Sequence, residues 1–161
     1  MKPPQAGFTL VEVVVGIALL SVATGALFLA LSRSLGQAAY LGQLETALNE
    51  AQGQLEKLAV TNFDSLAKGS DYAAARTPQP GLPVPVAALP QGNLSIRIRP
   101  DDVANPLFLD VVVSACWNAN RRIIGEDRNC NGRLDAGEDL NANGWLDSPA
   151  MVSTRIARMT D

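Results

Sequence analysis

The sequence predicts an α+β fold in which one long N-terminal helix, half apolar and half amphipathic, packs on a small antiparallel sheet of three to four strands. Three observations carry that prediction. Residues 8–31 form a run of 24 positions with Glu12 as the single formal charge. Leu41, Leu44, Leu48, Ala51, Leu55 and Leu58 then recur at steps of three and four, as a helix stripe does. Further on, apolar and charged residues alternate through residues 94–99, the mark of a half-exposed strand; 107–117 reads as a second, more buried strand and 151–159 as a third.

The apolar run is long enough, at about 1.5 Å per residue, to cross the roughly 30 Å hydrocarbon core of a membrane. A secretory signal peptide would have a shorter core followed by a small-residue cleavage site, and here Ala38, Ala39 and Tyr40 arrive only beyond Arg33 and Gln37. Glu12 is the oddity. A carboxylate at depth costs about 2.5–3.5 kcal/mol on insertion scales and calls for a partner. Placed at the interface instead, it would simply favour the positive end of the helix dipole.

Glu45, Glu50, Glu56 and Lys57 fall between the apolar positions of the second stripe, so residues 33–62 read as the amphipathic half of the same helix. Continuous from 8 to about 62, it would be roughly 80 Å long. The turn formers Asn62 and Asp64 mark its stop. Residues 63–161 are left for a globular head. Residues 69–91 carry five prolines between Pro78 and Pro90, which excludes a helix and disfavours a central strand, so this stretch is expected to be a connector.

Composition narrows the chemistry. The 161 residues contain no histidine, so the commonest general base and transition-metal ligand is missing. No nucleophile stands beside a recognisable base, and no enzyme is expected. A net charge of −3, with no basic stripe interleaved with aromatics, gives no clear nucleic-acid footprint. Cys116 and Cys130, with thirteen residues between them, could close a disulfide outside the cytoplasm or could be two unrelated buried thiols.

Residues 126–147 hold the densest polar motif. Asp127, Asn129, Asn131, Gly132 and Glu138 fit D-x-[DN]-x-[DN]-G-x5-E, with Arg133 at the carbonyl-donating seventh position and Asp135 at the ninth. Alternate side-chain oxygens at this spacing suit Ca²⁺. A second copy follows at once in Asp139, Asn141, Asn143, Gly144 and Asp147, but its twelfth position is Ala150, so it lacks the bidentate closer. No room exists for the helices that flank an EF-hand. The loop is therefore similar to calcium-binding repeats of the D-x-N-x-N-G type, while Asn131-Gly132 and Asn143-Gly144 also read as plain turns.

The N-terminus completes the reading. MKPPQAG before FTLVEVVVGIALLSVATGALF resembles the leader and mature start of type IV prepilins and type II secretion pseudopilins. The resemblance implies a pilin-like fold, cleavage by prepilin peptidase between Gly7 and Phe8, and methylation of the new Phe8 amine. It further implies that Glu12 of one subunit pairs with the Phe8 ammonium of a neighbour and so sets the stagger of assembly. The leader, residues 1–7, departs from the family in having Lys2 as its one basic residue beside Pro3 and Pro4. No proline kinks the helix, which leaves Gly16 and Gly25 as its soft points. The order of long helix, FDSL stop, V-x-V-x-x-C-W strand and T-x-I-A-R strand is similar to PilV-like minor pilins.

By that resemblance the chain would be a single-pass protein of the bacterial inner membrane and then a subunit of a periplasmic or extracellular fibre. Its partners would be other pilin subunits, the peptidase, the inner-membrane assembly platform and the membrane. The expected function is a minor pilin of a type IV pilus. The alternatives are a minor pseudopilin of a type II secretion system and a calcium-dependent adhesin or DNA-uptake tip pilin.

Overall fold

A computed structural model of the chain describes residues 7, 9–77 and 81–159, so Lys2 and Phe8 lie outside the described residues. It divides into two compact units, Met1–Tyr40 and Leu41–Asp161. A single helix, α1, runs through Leu10–Ala59 and contributes to both.

In the first unit α1 is exposed on all sides and is long and apolar enough to cross a membrane. Its hydroxyls are absorbed by the helix itself. Ser21 Oγ donates to the Ile17 carbonyl at 2.8 Å, Thr24 Oγ1 to that of Leu20 at 2.9 Å, and Ser32 Oγ to that of Phe28 at 2.9 Å. Such back-bonding satisfies these three hydroxyls in an apolar solvent. Gly16 and Gly25 lie inside uninterrupted helix.

In the second unit residues 41–59 of α1 bury Ala47, Ala51 and Leu58. The predicted stripe holds except at its start, where Leu41 is exposed; Ala47 enters instead, on the same face three and four residues from Leu44 and Ala51. The helix ends at Ala59 rather than near Asn62. Asn62 caps a new short helix, α2 (Phe63–Lys68), its Oδ1 accepting from the Asp64 and Ser65 amides at 2.9 and 3.3 Å. A 3₁₀ turn (Ser70–Tyr72) and the single turn α3 (Ala73–Arg76) follow. The Arg76 guanidinium ties them back, donating to the Leu66 and Gly69 carbonyls at 2.7 Å each.

The sheet has five strands, not three to four. They are β1 (Leu82–Val86), β2 (Gly92–Pro100), β3 (Phe108–Ala119), β4 (Arg122–Ile124) and β5 (Met151–Ala157). All neighbours are antiparallel in the order β1-β2-β3, and both β4 and β5 pair with the far side of β3. The expected connector at 69–91 is thus part helical turn and part edge strand. An edge is where the missing amides of Pro83 and Pro85 do least harm. At the β3–β4 turn Asn120 and Arg121 both have positive φ, the I′ geometry that matches strand twist.

Alternation sorts the sheet into two faces. Leu94, Ile96 and Ile98 on β2 and Leu109, Val111, Val113, Ala115 and Trp117 on β3 are buried on the side of α1. The indole Nε1–H of Trp117 donates across that layer to Gln43 Oε1 at 3.2 Å. Ser95, Ser114 and Cys116 occupy the opposite face and are buried as well, because the acidic loop between β4 and β5 folds over them. A disulfide joins Cys116 of β3 to Cys130 of that loop. Closing a loop of this length stabilises the fold by about 3 kcal/mol in the chain-entropy picture.

Candidate functional site

The acidic loop repeats itself bond for bond. In the first copy Asp127 accepts from the Asn131 amide (3.2 Å) and the Gly132 amide (2.7 Å), Asn129 Oδ1 from the Asn131 amide (3.0 Å) and Asn131 Oδ1 from the Arg133 amide (2.7 Å). In the second copy Asp139 accepts from the Asn143 amide (3.0 Å) and the Gly144 amide (2.8 Å), Asn141 Oδ1 from the Asn143 amide (3.1 Å) and Asn143 Oδ1 from the Trp145 amide (2.7 Å). The backbone follows the same rule. Positions four (Cys130, Ala142) and six (Gly132, Gly144) all have positive φ. Both copies are therefore wound by an Asp that gathers amides through a left-handed turn, which at position six favours glycine.

The ninth positions close each copy from within. Asp135 Oδ2 receives the side-chain amides of Asn129 and Asn131 at 2.8 Å each, and Asp147 Oδ2 receives those of Asn141 and Asn143 at 2.6 and 3.1 Å. These paired amide donations hold Asp135 below the usual carboxylate range. Glu138, at position twelve, clasps the first copy. Its Oε1 accepts from the Arg128 amide at 2.9 Å and its Oε2 from the Asp135 amide at 3.0 Å.

The second copy also has a clasp, one the forward spacing does not reveal. Glu126 Oε2 accepts from the Asp147 amide at 3.0 Å, as Glu138 does from Asp135. The signal was present in the sequence: the pair Glu126-Asp127 recurs as Glu138-Asp139, twelve residues on. Each glutamate precedes one copy, and each closes the other.

The copies differ in charge balance. Asp127 is 2% exposed and Glu138 4%, and neither forms an ion pair among the described residues. Burial pushes the Asp127 carboxyl up, opposed by the Gly132 and Asn131 amides. Asp139 instead lies in the field of the buried Arg97 guanidinium. Among the described residues no three His, Cys, Asp or Glu side chains converge as a ready metal cluster. The loop's oxygen donors are carboxylates interleaved with asparagine amides and backbone carbonyls.

At the other end of the chain, Gly7 and Thr9 are described and Phe8 is not. Thr9 Oγ1 accepts from the Glu12 amide at 3.3 Å, so T-x-x-E forms the side-chain arm of a capping box at the start of α1. The Glu12 side chain is exposed in the first turn. Residues 2–28 match the family model described as the prokaryotic N-terminal methylation motif. The chain carries the type IV pilin and pseudopilin signature. No curated protein and no solved structure gives a significant match to it. The pilin signature ends inside α1, and the long apolar helix beside a small antiparallel sheet is the α+β, pilin-like architecture expected from it. It implies cleavage by prepilin peptidase and assembly with other pilin subunits, and the apolar helix is consistent with a membrane-anchored precursor.

Proposed function

We propose that this chain is a non-enzymatic minor pilin of a type IV pilus, held in the inner membrane by its apolar helix and assembled through that helix into a fibre. The observation that carries the reading is the methylation motif running directly into an apolar, all-round exposed helix in which Ser21, Thr24 and Ser32 bond back to the helix carbonyls. A helix of that kind is unstable in water and stable only in lipid or against like helices. The intact mass of protein recovered from membranes and sheared surface fibres tests it. Loss of residues 1–7 and a methyl on Phe8 are expected. A full-length, unmethylated chain from cells with an active prepilin peptidase would overturn the reading.

The head loop is the proposed Ca²⁺ site, with Asp127, Asn129, Asn131, Asp135, Glu138 and the Arg133 carbonyl as the donors of its first copy. Support comes from Asp127 and Glu138, two buried carboxylates without a cationic side chain paired to them. Buried charge of one sign calls for compensation, and a hard cation suits an all-oxygen donor set. The ion would replace the asparagine amide hydrogens that now face Asp135, the amides turning to present oxygen. Asp139, Asn141, Asn143 and Asp147, with Glu126 as clasp, form the weaker copy, because Arg97 already offsets Asp139.

Calcium at about 100 times its Kd should raise stability by about 2.7 kcal/mol. Chelator should remove that gain and lower the melting temperature by several degrees. Glu138→Gln should abolish most of the calcium response, and Glu126→Gln only the weaker part. Identical melting curves in excess calcium and in chelator would eliminate the site.

A further inference from the structure

The chain contains two Asn-Gly bonds, Asn131-Gly132 and Asn143-Gly144, at the same position of the two loop copies. Such bonds can rearrange without an enzyme. The glycine nitrogen, once deprotonated, attacks the asparagine Cγ; a bond forms from that nitrogen to Cγ, and the side-chain nitrogen leaves as ammonia. Water then opens the cyclic imide at either carbonyl, giving aspartate or isoaspartate. Amide and water become acid and ammonia, with no redox partner needed. Reactivity depends on whether the glycine nitrogen can ionise and whether the backbone can rotate to reach Cγ.

We propose that Asn143-Gly144 is a spontaneous modification site, activated by Arg99, while the fold holds Asn131-Gly132 unreactive. Arg99 donates from Nη2 to the Asn143 carbonyl at 3.2 Å. That oxygen belongs to the peptide whose nitrogen attacks, and it carries much of the charge when the amide ionises. A guanidinium placed there stabilises the reactive form, as a charge-assisted hydrogen bond does. Asn143 is exposed, and a Cβ built on Gly144 would meet only the end of the Arg99 side chain, at 2.8 Å. No backbone atom or rigid side chain crowds Gly144, so the peptide can turn while the flexible Arg99 side chain follows the Asn143 carbonyl.

The first copy differs in burial, in packing and in having no guanidinium on the Asn131 carbonyl among the described hydrogen bonds. Both glycine amides donate to an Asp carboxylate, Gly132 to Asp127 at 2.7 Å and Gly144 to Asp139 at 2.8 Å, but Asp127 is buried and Asp139 is half-exposed, so the charge that opposes ionisation is less screened in the first copy. Gly132 is itself buried, and a Cβ there would meet the Pro83 Cβ at 2.7 Å and the Leu94 carbonyl at 2.8 Å. Two residues earlier the disulfide fixes Cys130 to β3. Rotation at Asn131 would have to break these contacts. Because Asn131 and Asn143 are also donors of the proposed cation site, the two rates are compared in excess chelator.

Peptide mapping of the full chain in detergent, incubated folded at mildly alkaline pH, tests the proposal. Asn143 should convert at least about tenfold faster than Asn131, the rate ratio expected from one charge-assisted hydrogen bond. In denaturant with reductant the two sites should convert alike. Arg99→Met should slow conversion at Asn143. Were Arg99 only a tether, with its guanidinium stacked on Trp145 at 4.3 Å, its removal would loosen the loop and speed conversion instead. Equal rates in the folded chain, no conversion at Asn143 while the unfolded chain converts, or an unchanged or faster rate in Arg99→Met would each overturn the proposal.

Discussion

Replacing Glu12 with valine is expected to leave membrane insertion intact and to abolish incorporation into a fibre. Two roles for this residue are separable by size of effect. Its place in the first turn of α1, with its amide on Thr9 Oγ1, makes it a helix-start residue worth about 0.3–1 kcal/mol. Such a loss would fray the helix end and no more. The proposed pairing with the Phe8 ammonium of a neighbouring subunit is different, because a carboxylate left unpaired among apolar helices, or a cation left without it, costs several kcal/mol. Glu12→Gln separates the two cleanly, since it keeps shape and polarity but not charge. Immunoblots of membrane and sheared-fibre fractions give the readout. Normal incorporation of both variants would leave Glu12 with the capping role alone.

The second large effect belongs to the head. Trp117 is 0% exposed, is the bulkiest fully buried side chain among the described residues, and donates its indole N–H to Gln43. Trp117→Ala should destabilise the head by about 3–5 kcal/mol, the range for deleting a buried aromatic. Trp117→Phe, which keeps most of the apolar volume and loses the N–H, should cost closer to about 1 kcal/mol. Near-ultraviolet circular dichroism during chemical unfolding in detergent distinguishes the two. Similar losses for both would mean that the Gln43 bond, not the packing, carries the residue's contribution.

How much was legible beforehand follows from how long each pattern is. The apolar run, the stripe around Leu48 and Ala51, the alternation in β2 and the β-branched, apolar run of β3 extend far enough to be read. The strand β4 has three residues, too few for any period. In β1, LPVPV, the prolines hide an alternation that the edge position tolerates. Asn62 reads as the stop of the long helix, yet α1 ends three residues earlier at Ala59 and Asn62 starts the next helix. The same residue types that break one helix cap the next, so α2 was invisible as a helix. The loop's turn residues were readable from spacing alone, and the disulfide left open by cysteine counting is formed. Glu126 was not readable forward along the motif, since it closes a copy that begins thirteen residues later.

That cross-closure bears on how the head could have acquired its loop. The Glu126 amide donates to the Asp147 carbonyl at 2.8 Å, and the Asp147 amide returns a bond to the Glu126 side chain at 3.0 Å. Residues 126–147 enter and leave at one point, so for the register of β4 and β5 on β3 the insert acts as a turn, while the Cys116–Cys130 disulfide holds its body over the sheet. A segment joined at its neck in this way can be gained, duplicated internally or lost in one step without shifting strand register. The twelve-residue repeat inside it, with each glutamate closing the other copy, is the pattern an internal duplication between those two ends would leave.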